Sequence, residues 1–155
     1  MIKPFFPPDE ATRLASLRKL NILDTPAEER FDRITRLAKQ FFGVSIALIS
    51  LIDTDRQWFK SRQGLTACET SRDISFCGHT ILGDEALVVE DARQDVRFQD
   101  NLLVTGEPHI RFYAGYPILA PDGNKIGTLC IIDQASRKMS AGDLRALQDF
   151  AGLVE

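Results

Sequence analysis

The sequence predicts an α+β domain, a central and largely antiparallel sheet of five or six strands between helical layers. Three observations carry this. Two pairs of strand-like runs are each joined by a short turn. Helix-period apolar patterns with capping signals lie toward both ends of the chain. Between them, the run Val44 to Ile52 is apolar on both alternating faces, as in a strand covered on both sides.

The elements follow in order. Asp9 to Leu20 places Leu14, Leu17 and Leu20 at helical spacing. Thr25-Pro26-Ala27-Glu28 reads as a capping box with proline at the first helical position, the threonine hydroxyl taking one orphan N–H while Glu28 reaches back. Phe31, Ile34, Ala38 and Phe41 then share a face, and Gly43 ends the helix. Val44 to Ile52 is the central strand. Asp53-Thr54-Asp55 is turn chemistry, so Arg56 to Arg62 becomes its hairpin partner, with Trp58 and Phe59 on opposite faces. The polarity of that partner places it at a sheet edge, with Trp58 as packing or surface cover. An irregular helical middle follows, with a short helix-like stretch over Asp73 to Leu82 and a strand-like Leu87-Val88-Val89. Ile110 to Leu119 and Lys125 to Ile132 form a second hairpin around Pro121-Asp122-Gly123-Asn124, where Gly123 supplies a positive φ. Ser140, with Asp143 three residues on, caps a last helix carrying Leu144, Leu147, Ala151 and Val154 near heptad spacing.

Composition sets the class. The 155 residues make one domain, 1–155, with a core over about 13–154. A last helix over 140–155 is expected to continue into an output domain. At 44% hydrophobic and 26% charged residues the chain reads as an ordinary soluble globular protein. A net charge of −3, without clustered Lys and Arg, argues against a nucleic-acid partner. No run approaches the roughly 20 apolar residues of a membrane span, and the start lacks a signal peptide's apolar middle, so a cytoplasmic setting without membrane contact is expected. Three cysteines, Cys68, Cys77 and Cys130, have neither the number nor the spacing of a disulfide framework and are expected reduced. Cys130, inside Ile126 to Ile132, reads as a small buried hydrophobe.

Polar and reactive groups interrupt the apolar pattern at Cys77-Gly78-His79, within one helical turn. Cys-x-His is at most half a tetrahedral zinc site, which Cys68, Cys130, His109 or a carboxylate would have to complete. His79 reads first as a hydrogen-bonded structural residue. Cys77, near a helix N-terminus, reads either as a packed thiol or as a redox-sensitive thiolate. Arg111, in an apolar strand, needs a carboxylate or an anionic ligand, and Asp91 is the internal candidate. No Ser-His-Asp order, phosphate loop or paired carboxylates stand out, so no catalysis is expected.

Five blocks, in this order, carry a resemblance: Leu20 to Asp32, Ile52 to Arg62, Ser75-Phe-Cys-Gly-His79, Asp95-Val-Arg-Phe98 and Ile126 to Asp133. Together they resemble the GAF domains of bacterial signalling proteins. The resemblance implies a sensory input module, commonly dimeric and ahead of a histidine kinase or diguanylate cyclase. Its pocket would lie on one sheet face beneath the irregular helical middle, near Ser75, Cys77, His79, Asp91, Arg111 and Tyr113. It names no cofactor, and the ligand is an unidentified small molecule. The signature of cyclic-nucleotide-binding members is absent, so cyclic GMP is not expected. Two departures are visible: Gly78 stands where similar sequences carry alanine, and Asn101-Leu-Leu-Val104 where they read Asn-Pro-Leu-Val. The expected function is non-catalytic small-molecule sensing, signalled through the first and last helices of a homodimer. The alternatives are a thiol protein resembling free methionine sulfoxide reductase, working through Cys68 and Cys77, a bilin photosensor, and a ligand-free dimerisation scaffold.

Overall fold

Alternation in the most apolar run of the chain organises the architecture. In the computed structural model, which describes residues 1–155, that run forms β1 (Ile46–Ile52), buried along its whole length. Ile46, Leu48 and Ile52 point to one side of the sheet, and Ala47, Ile49 and Leu51 to the other. The remaining strands are β2 (Arg56–Gln63), β3 (Glu69–Ser71), β4 (Leu87–Val89), β5 (Phe112–Leu119) and β6 (Lys125–Asp133). They form one six-stranded sheet in the order β3-β2-β1-β6-β5-β4 with antiparallel pairing throughout. Both expected hairpins are present, and Gly123 turns the second at φ +88°. At Gly127 a Cβ would meet the Ser50 carbonyl, so only glycine allows this approach of β6 to β1.

Helices cover both sides unequally. The first face carries α1 (Glu10–Lys19), α2 (Glu29–Phe42) and α5 (Ala141–Val154). Leu17 of α1, Phe31, Ile34 and Ala38 of α2, and Leu147 and Ala151 of α5 share its core with Ile49, Leu51, Leu129 and Ile131. Gly43 closes α2 in the left-handed region, and Ser140 with Asp143 makes the expected capping box. The second face carries the short α3 (Phe76–Thr80) and α4 (Leu102–Thr105) with loops between them. Phe76, Phe98, Val104 and Ile110 cover Ile46, Leu48, Ile52, Tyr113 and Ile132 there.

Glu10 ties the two sides together. Its carboxylate takes Arg13 of its own helix at 2.8 Å and Arg72, from the 3-10 turn before α3, at 2.5 Å. Both arginines are almost wholly buried, so the pairs work in a poorly screened setting.

Three local expectations are corrected. Thr25 does not cap α2: its hydroxyl donates to the Ile22 carbonyl and accepts from Lys60 Nζ, which also binds the Pro26 carbonyl and Glu28, and the helix starts at Glu29. The buried ammonium of Lys60 outcompetes helix N–H groups for these oxygens. Phe42, not Phe41, enters the core, while Phe41 is 61% exposed. β2 is not the edge, because the short polar β3 pairs with Arg56 to Trp58. Trp58 lies in the first core, opposite Phe59 in the second. As their spacing predicts, Leu14 and Leu17 of α1 are buried, and α5 packs beside α2.

Candidate functional site

Two neighbouring features on the second face concentrate polar chemistry. The first is built by α3. Ser75 caps this one-turn helix by accepting the Gly78 N–H at 2.9 Å, and its own hydroxyl donates to Gln57 Oε1 at 2.9 Å. The cap aims Cys77 into the sheet. There Thr128 Oγ1 lies 2.9 Å, Tyr113 Oη 3.2 Å and Cys130 Sγ 3.8 Å from its sulfur. Tyr113 Oη also meets Thr80 Oγ1 at 2.7 Å.

These contacts set the acidities. Burial pushes the Cys77 thiol up, but the hydrogen bonds from Cys130, Thr128 and Tyr113 favour the thiolate more and bring it down to about 7. Cys130, hydrogen-bonded to Cys77 and buried, is pushed well above its ordinary value. Burial, with the two sulfurs nearby, raises Tyr113 as well. The site therefore holds one acidified thiol against one protonated thiol.

The second feature is a cavity of about 480 Å³ between β1, β2, the β2–β3 loop and the segment after α4. Half of its sixteen lining residues are hydrophobic, and Gln57, Thr70 and Gln134 supply polar atoms. Its walls hold no Lys, Arg or His, and Glu107 is the one charged residue on them. Gln57 Oε1 is already engaged by Ser50 and Ser75, and Gln57 Nε2 by Thr70 at 2.5 Å. Gln57 thus connects the cavity wall to the cap of α3.

None of the six expected site residues lines the cavity. Ser75 reaches it through Gln57 only, and Cys77 and Tyr113 are sealed in the core beside it. His79 turns outward: its Nε2 meets the Ile2 carbonyl at 3.0 Å and its ring stands edge-on to Phe98, with burial lowering its pKa. The expected Asp91–Arg111 pair is not formed. Asp91 binds Arg93, two residues away in the same turn, at 2.8 Å, and Arg111 donates to the Val104 and Ile110 carbonyls. Cys68 is exposed on the far side of β2 and does not meet Cys77. The sequence reading missed Cys130 as the partner of Cys77; the signal was the period-two placement of Thr128 and Cys130 on the tyrosine face.

Gly78 explains its own departure from alanine. Pro4, in the segment ahead of α1, packs so closely that a Cβ on residue 78 would lie 2.8 Å from Pro4 Cγ. The same segment is held by Ile2 N–H donating to the Arg97 carbonyl at 3.1 Å and by Phe6 stacked on Arg72.

Comparisons with known proteins agree on the architecture. The GAF domain family model matches residues 26–155. A cyclic di-GMP phosphodiesterase of Pseudomonas aeruginosa is 43% identical over 155 residues, which is 99% of this chain and 26% of that protein. The chain therefore spans about a quarter of that relative's length. Among solved structures, the type II free methionine-R-sulfoxide reductase of Thermoplasma acidophilum superposes with a TM-score of 0.66 at 13% identity, covering 89% of this chain and 94% of that one. The free methionine-R-sulfoxide reductase of Neisseria meningitidis gives 0.66 at 18%, covering 94% and 87%. The GAF domain of an Acinetobacter phosphoenolpyruvate-protein phosphotransferase gives 0.60 at 16%, covering 92% of each chain. At these identities the structures speak to the fold. The expectation of a non-catalytic protein is overturned, because the relative that matches nearly all of this chain is a cyclic di-GMP phosphodiesterase.

Proposed function

The chain belongs to the GAF family, a sensory and regulatory fold, and on that premise we propose that it is the sensing segment of a cyclic di-GMP phosphodiesterase. It holds an uncharged or cationic small molecule of amphiphilic character and sets the activity of the enzyme by whether that molecule is bound. The relative points to a phosphodiesterase as the output in place of a histidine kinase or diguanylate cyclase. The cavity is the observation that carries the reading. Its volume of about 480 Å³ falls within the roughly 300–1,000 Å³ of small-molecule sites. With no cation on its walls, a ligand bearing phosphates would be stripped of water without compensation. Cyclic di-GMP is thus assigned to the catalytic part of the enzyme and not to this cavity. A homodimer belongs to the same reading, joined where α2 and α5 leave Leu37 and Phe41 exposed beside Phe150.

Native and denaturing mass spectra of the freshly purified protein test the proposal. A non-covalent adduct without phosphorus, lost on denaturation and in a cavity-filling Leu48→Trp variant, supports it. Saturable cyclic di-GMP binding that Leu48→Trp abolishes would sink the assignment of ligand class.

A further inference from the structure

Buried sulfur and hydroxyl groups on the second face have no task in ligand sensing. Cys77 and Cys130 are 3% and 0% exposed, yet their sulfurs touch at 3.8 Å, and two hydroxyl donors converge on only one of them. An apolar core has no need of this asymmetry, since two inert thiols would pack equally well among aliphatic neighbours. Donors aimed at one sulfur favour its anion, and the anion is the form that attacks oxidants. The second sulfur stands where a resolving thiol must stand. Cys68, the exposed cysteine, belongs to neither role.

We propose that Cys77 and Cys130 form a peroxide-reactive dithiol that hydrogen peroxide closes into a disulfide between α3 and β6. The Cys77 thiolate attacks one peroxide oxygen. An S–O bond forms, the O–O bond breaks, and the departing hydroxide leaves as water with the proton that Cys77 released. Cys130 then attacks the Cys77 sulfur. The S–S bond forms as the S–O bond breaks, and the second hydroxide leaves as water with the Cys130 proton. Two electrons pass from the two sulfurs to the peroxide, and a dithiol reductant reverses the change.

The two sides of the pair differ in stiffness. β6 is held between β1 and β5, whereas α3 is a single turn. Bringing the sulfurs from contact to the roughly 2.05 Å of a disulfide therefore draws α3 inward. Ser75 caps that helix and binds Gln57, so the movement reaches the cavity wall. The dithiol stands whether or not the cavity holds a ligand, because its chemistry requires only the two thiols and their donors.

The test is peroxide treatment of the folded protein at pH 6 and pH 8, quenched with an alkylating reagent in denaturant and mapped by non-reducing peptide mass spectrometry. The expected product is a peptide pair joined through Cys77 and Cys130, two hydrogens lighter than the reduced pair and opened by dithiothreitol. It forms several-fold faster at pH 8, where the Cys77 thiolate, with its pKa of about 7, predominates. Cys68→Ser retains the product, and Cys130→Ala, checked for folding by circular dichroism, diverts Cys77 to its sulfenic and sulfinic acids. Recovery of both core cysteines as free thiols in the folded Cys68→Ser protein, under exposure that oxidises Cys68 in the wild type, overturns the proposal. That arm decides alone if the core variant does not fold.

Discussion

The two faces of the sheet are made from the same strands but to different specifications. The first is filled by leucine, isoleucine, phenylalanine and alanine from long helices, and its polar strand positions, Lys60, Ser61 and Gln63 of β2, are paired with α2 and the turn before it. The second is covered by one-turn helices and loops, includes a cavity, and buries Ser50, Gln57, Ser75, Thr80, Thr128, Cys77 and Cys130 near the Tyr113 hydroxyl. A buried hydroxyl or thiol returns only a modest net stability when hydrogen-bonded and costs stability when left unpaired. A fold seeking stability alone would not place so many on one side. The difference teaches where to look for function: the first face holds the domain together, and the second holds what it responds with.

Breaking the tie between the faces has the largest expected effect. Glu10→Gln leaves Arg13 and Arg72 buried without their carboxylate, and a loss of about 3–5 kcal/mol is expected in urea unfolding. The pH dependence has a definite sign. Burial works against the Glu10 carboxylate, but its bonds to Arg13 and Arg72 hold its pKa below the ordinary glutamate value. A carboxylate with a depressed folded-state pKa stabilises fully above its unfolded pKa and loses that contribution as pH falls through the folded value. The wild type therefore loses stability below the ordinary glutamate range, and the glutamine variant lacks this part of the acid limb.

Leu147→Ala comes next. The side chain is fully buried between α5 and the sheet, and about 2–4 kcal/mol is expected from the lost contacts and the space left behind. Ligand retention at the cavity should be unchanged; its loss would mean that the faces are not separable. Thr128→Val on the second face is nearly isosteric and should cost about 1 kcal/mol. It removes a donor to Cys77, so the pH at which that thiol reacts with a small alkylating reagent should rise from about 7. Phe41→Glu should leave stability within about 0.5 kcal/mol, because the ring is mostly exposed. Light scattering should nonetheless report a shift from dimer to monomer; an unshifted mass rules α2 out of the interface.

Periodicity carries regular structure well, and here it revealed both hairpins, the three long helices and the covering of β1 on both sides. The α5 capping box was legible because its partners are local. The false box at Thr25 was not, because the competing donor, Lys60, comes from another element. β3 escaped for want of length, with three polar residues that carry no period of their own. The site was half legible. Ser75, Cys77 and Tyr113 do meet, but the cavity is lined from β1, β2 and loops whose residues look like ordinary core and turn chemistry. Asp91 and Arg111 went to local partners, which a search for charge complements does not rank.

The contact of Pro4 with Gly78 makes a statement about sequences other than this one. Residues 4 and 78 lie far apart along the chain yet compete for the same few ångströms. Substitution at one is therefore conditional on the other. Among natural relatives, alanine at the position of Gly78 should accompany a displaced or smaller residue at the position of Pro4, and the paired appearance of proline and glycine should mark the lineages that fasten this leading segment over α3.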